Sequence, residues 1–264
     1  MNVLKKVNRE SSVEKCNKIH PQEGKEFSVD WFSGSADSWN EIISSRFNGK
    51  SNVKYLEIGA FEGKSTVFAA ENICNGFNST IHSVDHWLGS YAEKAHDGIA
   101  VEDRLYCRFV LNTKEYGQLS LYRDSSAKVL THMNSLQLQD EHNKYDFIYI
   151  DASHWAKDVM VDAVLGWEIL NLSGIMVFDD YGGWALESRI PHTGPQLAID
   201  SFLNTYSTMY YDIRTNWQRY IEKIADLPRD MTHDVAEYLY IQENSLTSYY
   251  YHQLSDDVDS IGIL

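Results

Sequence analysis

Asp151, His154 and the adjacent pair Asp179–Asp180 are the residue types from which acid–base or metal chemistry is made. They close two apolar runs, Tyr-Asp-Phe-Ile-Tyr-Ile-Asp-Ala-Ser-His (145–154) and Gly-Ile-Met-Val-Phe-Asp-Asp-Tyr (174–181). Packed ionised carboxylates repel unless a proton or cation joins them, and a hard divalent ion with oxygen ligands, such as Mg²⁺, is the simplest such cation. Asp151, Asp179 and Asp180 are the expected metal ligands. An ion held there can bind a hydroxyl, lower its pKa and orient it. His154 follows Asp151 by three residues, so one helical turn would set both on one side. Imidazole titrates at about pH 6.5 and can accept a hydroxyl proton at neutral pH. His154 and Asp151 are the expected catalytic residues. The structural alternatives are a cap or an outer contact for His154 and a loop cap for Asp180. Asp158 and Asp162 continue at four-residue spacing and read as a solvated face or as a layer behind the ligands.

A second constellation lies upstream in Tyr-Leu-Glu-Ile-Gly-Ala-Phe-Glu-Gly-Lys-Ser-Thr (55–66), a strand, a glycine turn and a helix start. Gly59 and Gly63 let backbone approach a ligand, and a helix beginning near Ser65 offers free N–H groups. The frame is neither a P-loop nor GxGxxG, because Phe61 holds the middle glycine position. Glu57 would repel a phosphate and suit an ammonium group. The next strand ends Ser-Val-Asp-His-Trp (83–87). An acid at that point can take both hydroxyls of a ribose. Asp85 is therefore a ribose candidate, with a turn or helix cap as its alternative. His86 lies beside it, and Trp87 is placed to stack on an adenine or wall the pocket. In Tyr-Arg-Asp-Ser-Ser (122–126), Asp124 or Ser125 could contact adenine, or the serines could cap the next helix.

These residues need a scaffold that brings strand ends together. Strand-like runs at Val53–Ile58, Thr80–Asp85, Gln118–Tyr122, Tyr145–Ile150 and Gly174–Phe178 alternate with helical patterns at Lys64–Asn75, about 102–113, Ser125–Met133 and Trp155–Leu170. The alternation predicts an α/β fold, a Rossmann-like, doubly wound and mostly parallel sheet with helices on both faces. Open sheets of this kind bind ligands at the carboxyl ends of their strands. A helix fits 31–47 at one edge and another fits Gln196–Tyr206. Met209–Arg214 and Trp217–Lys223 are close enough to form a hairpin, giving a final antiparallel strand. The expected organisation is a polar, loose N-terminal arm (1–29), one catalytic domain (30–228) and an acidic, Tyr-rich C-terminal extension (229–264), either packed or a solvated helical tail. Tyr181–Pro195, with Gly182, Gly183, Trp184, Arg189 and His192, suits a mobile substrate lid.

The chain has 264 residues, with Lys+Arg 23 against Asp+Glu 38 and a formal charge of −15. That balance opposes nonspecific binding to nucleic acid or anionic membrane. No window approaches the roughly 18 apolar residues of a membrane span, and the N-terminus lacks the apolar core of a secretory signal. Cys16, Cys74 and Cys107 are odd in number and dispersed, showing neither metal spacing nor a disulfide framework. A reducing cytoplasm is the default expectation, and a homo-oligomer is left open.

Glu57-x-Gly59-x-x-x-Gly63, Asp85, Asp124-Ser125 and the Asp151 and Asp179 strand ends together resemble the class I S-adenosylmethionine-dependent methyltransferases, over about residues 30–223. The finer resemblance is to the bacterial O-methyltransferase branch with Ile-Asp-x-Ser-His on one strand and a later Asp-Asp-Tyr. That branch includes macrolide-sugar and cephalosporin-type enzymes, with catechol O-methyltransferase more distant. The resemblance implies that Glu57 receives the methionine ammonium, Asp85 the ribose, and Asp124 and Ser125 the adenine. Catechol-type relatives place two Asp and an Asn at positions matching the acids, and Lys where His154 stands. Phe61, in place of the glycine common in class I, is usual in this branch. The expected function is metal-assisted methyl transfer to a hydroxyl of a small molecule, with a sugar acceptor favoured by the macrolide-sugar resemblance. The rival readings are a non-catalytic cofactor-binding protein and a metal-independent N-methyltransferase. The acid–histidine set argues against both, since neither needs it.

Overall fold

The structure is a computed structural model that describes residues 7–88, 103–137, 143–182 and 194–226. The chain divides into two units, 1–225 and 226–264, and the sheet and its helices belong to the first. The C-terminal extension, His96, and Trp184, Arg189 and His192 of the expected lid lie outside the described residues.

The strands are β1 (Lys54–Ile58), β2 (Thr80–Asp85), β3 (Leu119–Arg123), β4 (Tyr145–Ile150), β5 (Leu170–Phe178), β6 (Tyr210–Thr215) and β7 (Arg219–Lys223). They form one sheet in the order β3-β2-β1-β4-β5-β7-β6. Pairing is parallel from β3 to β5, and β7 joins β5 antiparallel. This is the Rossmann-like sheet with a terminal hairpin that the runs predict. The helices are α1 (Arg9–Ile19), α2 (Ala36–Trp39), α3 (Ser45–Phe47), α4 (Lys64–Asn72), α5 (Arg104–Asn112), α6 (Ser126–Gln137), α7 (Ala156–Glu168) and α8 (Pro195–Thr205). A π-helical stretch, Asn40–Ser44, joins α2 to α3, so the helix expected over 31–47 is a composite.

The sheet is buried on both faces because successive side chains alternate and both sets are apolar. Tyr55, Phe147, Tyr149 and Val177 point to one core with Trp39 and residues of α4 and α5. Leu56, Ile58, Ile148, Ile150, Met176 and Phe178 point to the other, with α6, α7 and α8. Trp39 is a hub of the first core, meeting Tyr55, Phe147 and Tyr149 edge-on. Buried Lys223 seats β7 against the end of α7, donating Nζ to the Trp167 and Leu170 carbonyls at 2.9 and 3.1 Å. A cation at a helix C-terminus faces the negative end of the helix dipole.

Two expectations are corrected. The arm is not loose over its described part, since α1 packs on α5. Arg9 also donates to the Thr113, Tyr116 and Leu119 carbonyls. The cysteines do pair: Cys16 and Cys107 form a disulfide across 91 residues, leaving Cys74 free and buried. Local spacing cannot reveal a bond made between a terminal helix and one of the core. A loop of this length is worth roughly 4–5 kcal/mol by chain entropy. Alkylation of the denatured, unreduced chain is expected to label Cys74 alone; labelling of all three cysteines would mean that the bridge does not form in the purified protein.

Candidate active site

The sheet register builds the site. Ile58 stands opposite Val84 and Ile150, and Ile150 opposite Phe178. The next residue on each strand therefore emerges at one level. The ladder runs one step further through Gly59 N–H to Val84, Asp151 N–H to Ile58 and Asp179 N–H to Ile150. Because β7 is antiparallel to β5, the Asn216–Gln218 turn returns to this edge, and Trp217 O accepts the Gly182 N–H at 3.2 Å.

Asp151, His154 and Asp180 each offer one ligand atom within 4.8 Å of the others. His154 Nε2 lies 2.9 Å from Asp180 Oδ2. His154 reaches this place from the β4–α7 loop rather than from a helical turn, since α7 begins only at Ala156. Ser153 braces that loop, donating to Asp158 at 2.8 Å and accepting the Trp155 N–H. Asp180 has a φ of +57°, and that turn carries its side chain toward His154. Asp179 differs from its two neighbours. Its Oδ1 accepts the Asp180 N–H at 2.9 Å and its Oδ2 lies 2.6 Å from the Tyr149 hydroxyl. The three acids expected as equivalent ligands are thus inequivalent. Burial, then the charges of Asp179 and Asp180, push the Asp151 carboxyl well above the ordinary carboxylate range. Burial and then Asp180 push Asp179 the same way. A bound cation would reverse these shifts.

The other predicted positions are brought to the same edge but are engaged internally. Glu57 is fully buried. Its oxygens accept from Ser65 Oγ at 2.5 Å, Ser83 Oγ at 2.9 Å, Tyr55 Oη at 3.3 Å and the Thr66 hydroxyl. Burial outweighs these four hydroxyls and raises its carboxyl to about 7. The resemblance assigns Glu57 and Ser65 to the cofactor; here Glu57 clamps the first turn of α4 onto the sheet. Asp85 Oδ2 accepts the Ala60 and Phe61 N–H groups, and its Oδ1 accepts that of Trp87. It holds the glycine turn, with one of an ionised carboxylate's roughly four acceptor sites left for a ribose hydroxyl. A Cβ on Gly59, at φ +86°, would lie 1.8 Å from the Asp151 carbonyl oxygen; one on Gly63, at φ +84°, would lie 2.9 Å from Phe109. Both glycines serve close approach inside the protein. Trp87 is not open for adenine stacking. It is buried against Tyr106 and Phe109, and its indole N–H donates to Phe61 O. His86 is exposed and accepts the Leu88 N–H. Asp124 accepts the Ser125 N–H and pairs with Lys128, while the Ser125 carbonyl starts the α6 ladder.

Residue-level reading missed Tyr149, Gln218 and the Glu62–Arg108 pair. Buried Glu62 also takes the Ser28 N–H and hydroxyl, fastening the N-terminal segment to the glycine turn. For Tyr149 a signal existed, since it shares a strand face with Asp151 two residues on.

A doubly wound sheet with an antiparallel hairpin at its end, a glycine turn after β1 and an acid closing β2 is the arrangement of the class I methyltransferase fold. A methyltransferase-domain family profile matches residues 56–181, the segment that runs from β1 through the acid-bearing end of β5. No curated protein matches it. Among solved structures, a Corynebacterium glutamicum protein is similar at 12% identity, covering 84% of this chain and 93% of its own, with a TM-score of 0.50. An O-methyltransferase from Bacillus cereus, solved with S-adenosylhomocysteine, is 12% identical over 84% and 94%, with a TM-score of 0.49. The mycinamycin-pathway methyltransferase MycE, solved with Mg and S-adenosylhomocysteine, is 14% identical over 86% of this chain and 58% of its own, with a TM-score of 0.46. At such identities the likeness is one of fold.

Asp85→Ala is expected to weaken S-adenosylmethionine binding about tenfold or more, since a charge-assisted hydrogen bond is worth roughly 1.5–3 kcal/mol. Calorimetry on the folded variant checks this, and unchanged affinity would remove Asp85 from the cofactor site.

Proposed function

We propose that the chain is an O-methyltransferase that uses a divalent cation to transfer the methyl group of S-adenosylmethionine to a hydroxyl of a small molecule. The reading is carried by the gathering of Asp151, His154 and Asp180 within 4.8 Å at the ligand-binding edge. Carboxylate oxygens short of a full shell suit a hard ion that keeps water or acceptor oxygens as its other ligands, and leave the neighbouring imidazole to act as a base. Such an ion, when bound, lowers the pKa of the acceptor hydroxyl and orients it. S-adenosylmethionine supplies the electrophilic methyl group. Asp151 and Asp180 provide the charge that the cation needs. Asp85 and the turn it braces hold the cofactor side. His154, oriented by Asp180, takes the proton that the hydroxyl loses. Trp155 and Trp217 remain more than half exposed on the loops that carry or border these residues. They offer apolar faces to a ringed acceptor, consistent with a sugar.

Calorimetry with S-adenosylmethionine, followed by turnover on hydroxylated acceptors with Mg²⁺ and after chelation, tests the reading. The expected result is cofactor binding in both conditions and turnover only with the cation. Full turnover after exhaustive chelation would sink the cation's role. Tight cofactor binding without methylation of any hydroxyl or amine would favour a binding protein.

A further inference from the structure

Two acids grip the glycine turn, and only one of them belongs to a strand end. Asp85 holds the Ala60 and Phe61 N–H groups. The second grip is Glu62, which stands between Phe61 and Gly63 and is 1% exposed. A carboxylate so buried is costly unless donors surround it. Its donors come from two distant stretches of chain. Ser28 gives its N–H at 2.6 Å and its hydroxyl at 2.8 Å, and Arg108 of α5 gives Nη1 at 2.6 Å. The Glu62 carbonyl accepts from Asn112 Nδ2 at 2.8 Å. Asn112, fully buried, turns the rest of its amide to the same N-terminal segment: its Oδ1 accepts from the Glu26 N–H and Gln22 Nε2, and its Nδ2 donates to the Glu26 carbonyl. Asp30 pairs with Lys64 at the start of α4, and Trp31 lies against Phe61 with ring centroids 4.8 Å apart. Residues 22–31 are thus laced to the turn, to α4 and to α5 along their length. Phe61 needs such support. Its φ of +45° lies in the left-handed region, where a bulky L-residue is strained and stays only if its surroundings over-determine it.

We propose that Glu62 is a positioning residue for the methyl donor and that residues 22–31 complete the donor site. Glu62 locks the turn against Ser28 and Arg108, so the turn keeps its shape before the donor arrives and loses less freedom when it binds. The inference rests on S-adenosylmethionine as the donor and is independent of the cation.

Calorimetry of S-adenosylmethionine binding to the full chain, beside urea unfolding of each variant, tests this without turnover. Glu62→Gln keeps the volume and removes the charge, and is expected to weaken binding about 10-fold or more, the scale of a charge-assisted hydrogen bond. Ser28 is exposed on its outer side, so its variants leave the core alone. Ser28→Ala removes only the hydroxyl donor and should weaken binding about fivefold, the scale of a single hydrogen bond. Ser28→Thr restores that donor and should bind like wild type. The double variant should bind no worse than Glu62→Gln alone, since both changes break one contact. Lowered urea midpoints with unchanged affinity of the folded Glu62→Gln and Ser28→Ala proteins would make the pair merely structural and overturn the proposal. A loss in Glu62→Gln with none in Ser28→Ala, or losses that add in the double variant, would overturn the part given to the N-terminal segment. If Glu62→Gln does not fold, Ser28→Ala against Ser28→Thr decides. A wild type that binds no S-adenosylmethionine would remove the donor reading itself, before any variant is compared.

Discussion

Replacing His154 with alanine is expected to lower turnover by about 10²–10⁴-fold, the scale of a positioned general base. S-adenosylmethionine affinity should be unchanged, because the residue sits with the acids beyond β4 and β5 and not on the glycine turn. The imidazole is held in place, 2.9 Å from Asp180 and on a loop braced by Ser153 and Asp158. Removing it leaves that bracing intact, so the deficit should be chemical. Two measurements separate a base from a cap. Imidazole added to the alanine variant should restore part of the rate, and His154→Lys should recover more than alanine does, since an amine beside a cation can still accept a proton. Mn²⁺ affinity separates a base from a ligand: it should persist in the alanine variant if His154 only moves a proton. Equal turnover of wild type and alanine variant would reduce His154 to a structural role.

Asp162→Asn is expected to stabilise the fold at pH 8 and to have little effect at pH 4. Asp162 is 1% exposed on α7, and neither carboxylate oxygen makes a well-formed hydrogen bond among the described residues. Burial raises its carboxyl to about 7, weakly offset by the Ser126 hydroxyl. The folded pKa thus lies above the ordinary value of 3.8. Stability from this group is complete below the unfolded pKa and is lost as pH rises to the folded one, since only the unfolded chain releases the proton early. A shift of this size corresponds to an order-of-magnitude cost of about 2–4 kcal/mol above pH 7. Glu57, also raised to about 7, adds a loss of the same sign over the same window. Exposed acids such as Asp30, lowered to about 2 by Lys64, act in the opposite sense only as pH falls below the carboxylate range. Comparing wild type with variant by urea unfolding at pH 4 and pH 8 isolates Asp162. A variant no more stable than wild type at pH 8 would mean that the buried carboxyl finds a partner.

The scaffold was legible because its signals are local. Each parallel strand is an apolar run of strand length, and the strand ends at Ile58, Asp85, Ile150 and Phe178 are where the sequence puts them. The gathering of Asp151, His154 and Asp180 follows from that register. What stayed hidden depends on partners far along the chain. Adjacent aspartates look equivalent in sequence, yet Tyr149 and a left-handed backbone at Asp180 send them opposite ways. Asp162 at helical spacing reads as solvated until α6 covers it. Trp87 beside a ribose-type acid reads as a stacking surface until Tyr106 and Phe109 enclose it. Cys16 meets Cys107 only after α1 lies along α5.

The contact of Gly59 with Asp151 sets how the donor and acceptor halves of the site can move. Not even a methyl group fits between the glycine turn and the backbone of the acid-bearing loop. Close-packed interiors have little compressibility and transmit strain. The two loops are therefore geared together: a displacement of one by a bound molecule must be taken up by the other or by the strands beneath them. Transfer between a methyl donor and a hydroxyl tolerates little misalignment, and a displacement of about 1 Å can cost about 100-fold. For the methyl transfer proposed above, the spacing of the two reactants would be written into the stiffness of the sheet, so that tuning it calls for changes at the strand ends and not in the side chains that touch the substrates.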